Sequence, residues 1–304
     1  TMVNTPKRQG KYIIRREINV KGKLFICPTP IGNLEDITLR VLRVLEEVDI
    51  IAAEDTRVTR KILNHYHIRN SLTSYHGHNE WQKSQELLRI LKDGGDVALV
   101  SDAGTPGISD PGEKIIQAAV EEGIEIVYMP GASAFIGGLV VSGLPTDRFC
   151  FEGFLPRKKN QRKAALESLK NDTRTLIFYE APHRVLETLR DMIEIFGCRK
   201  AALVRELTKK FEEVIRGSLE EVHECIKVRD TIKGELILII HGADTADDME
   251  MDPPQWKYWG VSRHVAELTE VGYGTGQAVK EVAGLRGLPR RDVYKYILES
   301  KDQI

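Results

Sequence analysis

Ser101-Asp102-Ala103-Gly104-Thr105-Pro106-Gly107-Ile108-Ser109-Asp110-Pro111-Gly112 joins an apolar run, Val97 to Val100, to a helical pattern that begins at Glu113. The run reads as a buried strand. A loop rich in Gly, Pro and Asp between a buried strand and a helix is where open α/β sheets bind ligands. Glycine lets backbone approach a ligand closely, proline holds the loop without using N–H groups, and the helix start favours anions. An ordinary connection of this kind needs only about 2–6 residues. This one is longer, and it predicts a ligand loop.

Outward from that loop, short apolar runs alternate with helical spacing. Upstream, strands are expected at Leu24–Cys27, Ile50–Ala53 and Leu72–His76, with helices at Ile37–Val48, Thr59–Tyr66 and Trp81–Lys92. Downstream come a helix over 113–122, a strand at Glu125–Met129 and a small-residue helix from Ala132 to Ser142. This order argues for a parallel-rich α/β sheet. A second α/β set follows Gly143-Leu144-Pro145-Thr146, with strands at Phe149–Phe154, Thr175–Tyr179, Ala201–Arg205, Glu213–Arg216 and Glu235–His241. The expected organisation is an arm over 1–23, an N-terminal α/β lobe over 24–143, a C-terminal α/β lobe over 144–243, a linker over 244–254 and a helical tail over 255–304.

The 304 residues carry 44 Lys and Arg against 45 Asp and Glu. The whole-chain field therefore attracts no polyanion, and a nucleic-acid partner requires a local basic patch. No apolar run approaches the ~20 residues of a membrane span, and no apolar core for a secretion signal opens the chain, so a cytoplasmic location is the expectation. Cys27, Cys150, Cys198 and Cys225 are widely spaced, which points to neither a disulfide framework nor a zinc knuckle.

Several familiar chemistries are set aside. There is no P-loop signature, and Gly272-Tyr273-Gly274-Thr275-Gly276 lacks the preceding strand that a dinucleotide fingerprint needs. Gly131-Ala132-Ser133-Ala134-Phe135 fails as a nucleophile elbow at its last position. His65/His67 and His76/His78 invite a metal, but no Cys or spaced carboxylate set completes a ligand shell, and no metal is expected.

One basic run stands out: Arg157-Lys158-Lys159-Asn160-Gln161-Arg162-Lys163, between a strand and a helix. Cations at a helix start oppose its dipole. Arg157, Lys158, Lys159, Arg162 and Lys163 therefore read as contacts for a nucleic-acid phosphate backbone, the ordinary alternative being a solvated surface run. The tail adds Arg286, Arg290, Arg291 and Lys295, with Arg290 and Arg291 as a second candidate surface of this kind.

Read together, the loops resemble the tetrapyrrole-methylase-like, S-adenosylmethionine-dependent methyltransferases. The carrying strings are Thr29–Leu34, Ala52–Arg57, Ser74–Glu80, Val100–Gly112, Val127–Ala134, Gly143–Arg148, Phe151–Lys158, Phe178–Arg184 and Arg205–Lys209. Within the family they are most similar to the bacterial branch that methylates cytidine 2′-oxygens of 16S ribosomal RNA. One departure is Gly77, where the family often carries an acidic residue.

The resemblance implies two α/β lobes enclosing S-adenosylmethionine, a homodimer, and the small ribosomal subunit as partner, with neither DNA nor membrane. Carried over by motif, the cofactor loops are Pro30-Ile31-Gly32, Ser101-Asp102-Ala103 with Thr105 and Ile108, and Ser133-Ala134. The second lobe contributes Tyr179, Leu207, Gly234 and Glu235. A neutral ribose hydroxyl is a poor nucleophile, so a general base is expected. The candidates are Glu54, Asp55, His76 and Glu180, with an ion-paired helix-start cluster as the plainer reading of Glu54, Asp55 and Arg57. Two rivals remain at this stage, a porphyrinoid methylase and a non-catalytic RNA-binding assembly factor.

Overall fold

The computed structural model describes residues 21–229, 231–244, 256 and 259–301. The expected arm, up to residue 20, and the linker from residue 245 lie outside them. The chain divides into two compact units, Thr1–Ala243 and Asp244–Ile304.

In the first unit, β1 (Lys23–Ile26), β2 (Ile50–Ala53), β3 (Leu72–Ser74), β4 (Val97–Val100) and β5 (Glu125–Tyr128) form one sheet in the order β3-β2-β4-β1-β5. Every pairing in it is parallel. The helices α1 (Leu39–Glu47), α2 (Thr56–His65), α3 (Glu80–Lys92) and α4 (Glu113–Glu121) connect the strands.

Strand alternation explains why both faces are apolar. Ala98 and Val100 of β4 enter one core with Val41, Leu45 and Ile62, while Val97 and Leu99 enter the opposite core with Leu87, Leu91 and Ile115. Local capping sets the helix starts: Thr38 accepts from the Val41 N–H, and Asp55 accepts from the Arg57 N–H.

From β1 the chain runs to one side of the sheet, and from the adjacent β4 it runs to the other. Their carboxyl ends therefore frame a topological switch point, and the Ser101–Gly112 loop leaves from it.

The second sheet contains β6 (Phe149–Phe154), β7 (Thr175–Glu180), β8 (Lys200–Arg205), β9 (Glu213–Ser218) and β10 (Leu236–Ile240), in the order β6-β7-β10-β8-β9. Only β6 and β7 run parallel; β10 lies antiparallel to both β7 and β8, and β9 is antiparallel to β8. One face packs on α6 (Lys159–Ser168), α7 (Val185–Phe196) and α8 (Leu219–Lys227), through residues such as Leu166, Leu189, Met192 and Val222. Ser218 and Glu221 close a capping box at the start of α8.

The other face is covered by α5 (Ala134–Ser142), a helix that follows β5 of the first lobe yet buries Leu139 against Ile177, Val204 and Ile237 of the second sheet. Its small residues have a purpose here. A Cβ at Gly138 would stand 3.0 Å from Ile237, and one at Gly137 would stand 2.8 Å from Leu207. Glycine allows the helix to lie close to the sheet.

The second unit holds α9 (Val261–Glu270), α10 (Thr275–Arg286) and α11 (Arg290–Lys301) around a core of Val265, Ala278, Val279, Val282 and Val293. Gly287, at φ 62°, ends α10 in the left-handed conformation. His264 stacks on Trp256 at 4.9 Å, and Arg286 donates to the carbonyls of Trp256 and Trp259. Among the described residues no helix is long and apolar enough to cross a membrane.

Candidate active site

The loops after β1 and β4 are joined by a short bridge. Thr29 and Gly104 exchange backbone hydrogen bonds of 2.8 and 2.9 Å, and the Thr29 hydroxyl donates to the Ser101 carbonyl at 3.0 Å. Ser101 donates to the Gly104 carbonyl at 3.1 Å, and Thr105 donates to the Ala132 carbonyl at 3.2 Å. Gly104 sits at φ 83°, a conformation open to glycine. The loop is thus pinned on both sides.

Between this loop and the second sheet lies a cleft of about 340 Å³. The first lobe contributes Ile31, Ala103, Gly104, Thr105, Ile108, Ser109 and Asp110, with Ser133 and Ala134 from the start of α5. Tyr179 to Pro182, Phe154, Val204 and Leu207 come from the second lobe, with Gly234 to Ile237 at the entry to β10. The walls are mostly apolar, while Asp110 and Glu235 add carboxylates. Ser109, Glu206 and Thr208, at φ 59°, 52° and 66°, are non-glycine residues in the left-handed region in or beside the loops that bear this cleft. Such strain, worth on the order of 1–3 kcal/mol each, clusters where a ligand shapes the backbone.

Of the expected cofactor residues, Ile31, Ala103, Thr105, Ile108, Ser133, Ala134, Tyr179, Leu207, Gly234 and Glu235 line this cleft. Pro30, Gly32, Ser101 and Asp102 do not. Pro30 is buried. Gly32 lies under the opposite lobe, where a Cβ would fall 2.3 Å from Lys209. Ser101 acts on the loop from within, and Asp102 accepts the Asp55 N–H at 2.9 Å.

The expected catalytic residues divide. Asp55 is paired with Arg57, at 2.6 Å, which holds its carboxyl down at about 2. A carboxylate so stabilised is a weak base, and it lies outside the cleft lining. Glu180 reaches the cleft wall, but its carboxylate is buried and fully engaged. Oε1 accepts from Arg184 Nε at 2.5 Å and from the Ala181 N–H at 2.7 Å, and Oε2 accepts from the Thr188 hydroxyl at 2.5 Å. Glu180 therefore holds the turn that lines the cleft and is not free to accept a substrate proton. Glu54 and His76 stand behind the loop, where burial pushes the Glu54 carboxyl up and His76 Nδ1 is buried without a hydrogen-bond partner.

Asp110 was missed by the sequence reading. It lines the cleft directly, and burial together with the charge of Glu54 pushes its carboxyl up to about 7. In the sequence it reads as loop punctuation before a proline, and no local pattern marks it.

The basic run also divides. Arg157, Lys158 and Lys159 are exposed at the start of α6. Arg162 is not a surface cation: its side chain is 2% exposed and pairs with Asp191 at 2.7 Å. Spacing places it on the inner face of α6, where a charge requires a buried partner. Lys163 is half-buried and pairs with Glu194 at 2.5 Å. In the second unit, Arg290 and Arg291 open α11, and Arg291 is 93% exposed.

Three comparisons bear on this arrangement. The chain is 48% identical to the "Ribosomal RNA small subunit methyltransferase I" of Halalkalibacterium halodurans, over 95% of this chain and 98% of that one. It is 43% identical to the protein of the same name from Bacillus subtilis, over 93% and 98%. Among solved structures, its fold is similar to a diphthine synthase at a TM-score of 0.55 and 15% identity, over 75% of this chain and 93% of that one. The profile of the Tetrapyrrole (Corrin/Porphyrin) Methylases matches residues 23–223, from the first strand of one lobe into α8 of the other. With the first lobe and most of the second under one profile, the chain belongs to the tetrapyrrole methylase family, a family of S-adenosylmethionine-dependent methyltransferases.

Proposed function

We propose that this enzyme transfers a methyl group from S-adenosylmethionine to a ribose 2′-oxygen, that of a cytidine, in small-subunit ribosomal RNA. The reading rests on one observation above the others. Identity of 48% extends over 95% of the chain to a protein named for small-subunit ribosomal RNA methylation, so the similarity includes the helical tail as well as the two lobes. A cytoplasmic homodimer acting on the assembled or assembling small subunit completes the reading.

The residues of the cleft suit the donor. Ile31, Val204, Leu207 and Ile237 offer apolar walls for a nucleoside, and Glu235 offers negative charge to a cationic donor. Ser109, Glu206 and Thr208 carry strain that a bound ligand can offset. When bound, the donor supplies an electrophilic methyl group. The protein's part is alignment and water exclusion, and orientation of this kind supplies roughly 7–11 kcal/mol of a barrier.

Phe154, 58% exposed at the cleft lip, stands just before the basic run Arg157–Lys159. An aromatic face beside phosphate-binding cations is how single-stranded RNA bases are held out for chemistry. Arg290 and Arg291 provide a second basic surface on the helical unit.

The deciding experiment is labelled methyl transfer to small ribosomal subunits, free 16S RNA and a uroporphyrinoid, with the modified nucleotide mapped. Methylation of the subunit at a single ribose is expected. Transfer to the macrocycle instead would replace this reading with the porphyrinoid one. Binding of the subunit without donor binding would leave only an assembly factor.

A charge test accompanies it. Changing Arg157, Lys158 and Lys159 together to Glu is expected to weaken subunit binding and to lower the slope of log affinity against log salt by roughly 2. Donor affinity, measured by calorimetry, should not change. An unaltered salt slope would remove this run from the RNA surface.

A further inference from the structure

Ribose methylation requires a place for the hydroxyl proton, and the cleft narrows the choice; this inference rests on the rRNA reading above. Asp55 is held by Arg57, and Glu180 by Arg184 and Thr188. Glu235 lines the cleft but pairs with Lys209 at 3.3 Å. Glu54 and Asp102 are outside the lining.

Asp110 alone among these acids both lines the cleft and, among the described residues, has no Lys or Arg ion-pair partner. Tyr179 of the opposite lobe lines the same cleft. Its backbone is fixed between Ser109, at φ 59°, and Pro111, and the following Gly112 donates its N–H to Glu80 Oε1 at 3.0 Å. The residue is therefore held at the cleft wall by a loop with little freedom to turn away.

We propose that Asp110 is the catalytic base of this enzyme, accepting the proton of the ribose 2′-hydroxyl as that oxygen is methylated. In the step the oxygen–hydrogen pair stays on the ribose oxygen and the proton passes to the Asp110 carboxylate. An oxygen–carbon bond forms to the donor methyl, the carbon–sulfur bond breaks, and its electron pair remains on sulfur as a neutral thioether.

The surroundings suit that task. Burial raises the carboxyl, Glu54 from the end of β2 and Asp102 after β4 raise it further, and the neighbouring Ser101 hydroxyl pulls it down. Tyr179 from β7 lines the same cleft, and burial holds its phenol up at about 12, so it stays neutral. The balance leaves Asp110 at about 7. A base with its pKa near the working pH combines the correct protonation state with useful proton affinity.

Asp110→Asn and Asp110→Ala test this. Single-turnover transfer to small subunits should fall about 100-fold or more in both. Donor affinity by calorimetry and subunit affinity by filter binding should change little. The wild-type rate should rise with pH and level off above about 7, and the variants should lose that titration.

A readout independent of turnover follows from linkage. The folded carboxyl titrates above its unfolded value of about 3.9. Ionising it thus removes stability as pH rises from the unfolded value through the folded one. Asp110→Asn should therefore raise the melting temperature relative to wild type more at about pH 8 than at about pH 4.

An Asn variant with nearly wild-type transfer would overturn the proposal. So would a loss explained wholly by weaker donor binding, or a wild-type melting difference that ignores pH. Wild-type protein that binds the donor but methylates no subunit would instead overturn the rRNA reading on which the proposal stands.

Discussion

Arg162→Ala is expected to cost about 3–5 kcal/mol of folding stability, the range found when one partner of a buried ion pair is removed. Arg162 sits on the inner face of α6 with its guanidinium almost wholly out of water. Nε donates to Asp191 Oδ2 at 2.7 Å, a second nitrogen lies 2.7 Å from the same oxygen, and Glu187 approaches at 3.5 Å. Removing the guanidinium leaves Asp191, itself 4% exposed, as an uncompensated charge between α6 and α7.

The sign differs for a concerted change. Replacing Arg162 by Met and Asp191 by Leu together should recover most of the loss, because paired burial costs desolvation that apolar side chains avoid. Urea unfolding of the two variants measures both effects. Subunit affinity per folded molecule should be unchanged in either. An Arg162→Ala protein as stable as wild type would show that the pair is not buried as described.

Gly234→Val should weaken S-adenosylmethionine binding by about 100-fold, or on the order of 3 kcal/mol. Gly234 is at φ 98°, where a β-branched residue is a steric outlier. Its Cβ would also fall 2.5 Å from Cγ and Oε1 of Glu206. That carboxylate organises the wall, accepting the Glu235 N–H at 3.0 Å and Lys209 Nζ at 2.8 Å. Displacing it moves Gly234, Glu235 and Leu207 together.

Gly197→Ala is the control. Gly197 is also left-handed, at φ 71°, but a Cβ there meets nothing and the site is remote from the cleft. It should lose about 1 kcal/mol of stability and no donor affinity. Calorimetry on the two variants compares them directly. Equal donor affinity in Gly234→Val and wild type would refute the assignment of this wall to the donor.

The first sheet was legible because its strands are buried on both faces. Val97–Val100 reads as a continuous apolar run, and the helices between the strands show clear spacing. Strand direction in the second sheet was not legible. The run Leu236–Ile240 looks the same whether it pairs parallel or antiparallel, and its antiparallel place between β7 and β8 depends on contacts far along the chain.

The cleft divided in the same way. Residues on the ligand loops, such as Ile31 and Ser133, were readable because loop chemistry is local. Arg162 was misread because its partner lies on another helix, 29 residues away. Asp110 was overlooked because its altered acidity comes from burial and from Glu54 and Asp102, which only folding supplies.

The helix Ala134–Ser142 begins at the cleft and lies on the second sheet, with Gly138 against Ile237 and Leu139 in its core. It acts as a splice between the halves. Swinging them apart would strip that contact from the sheet, so the jaws of the cleft are clamped from behind.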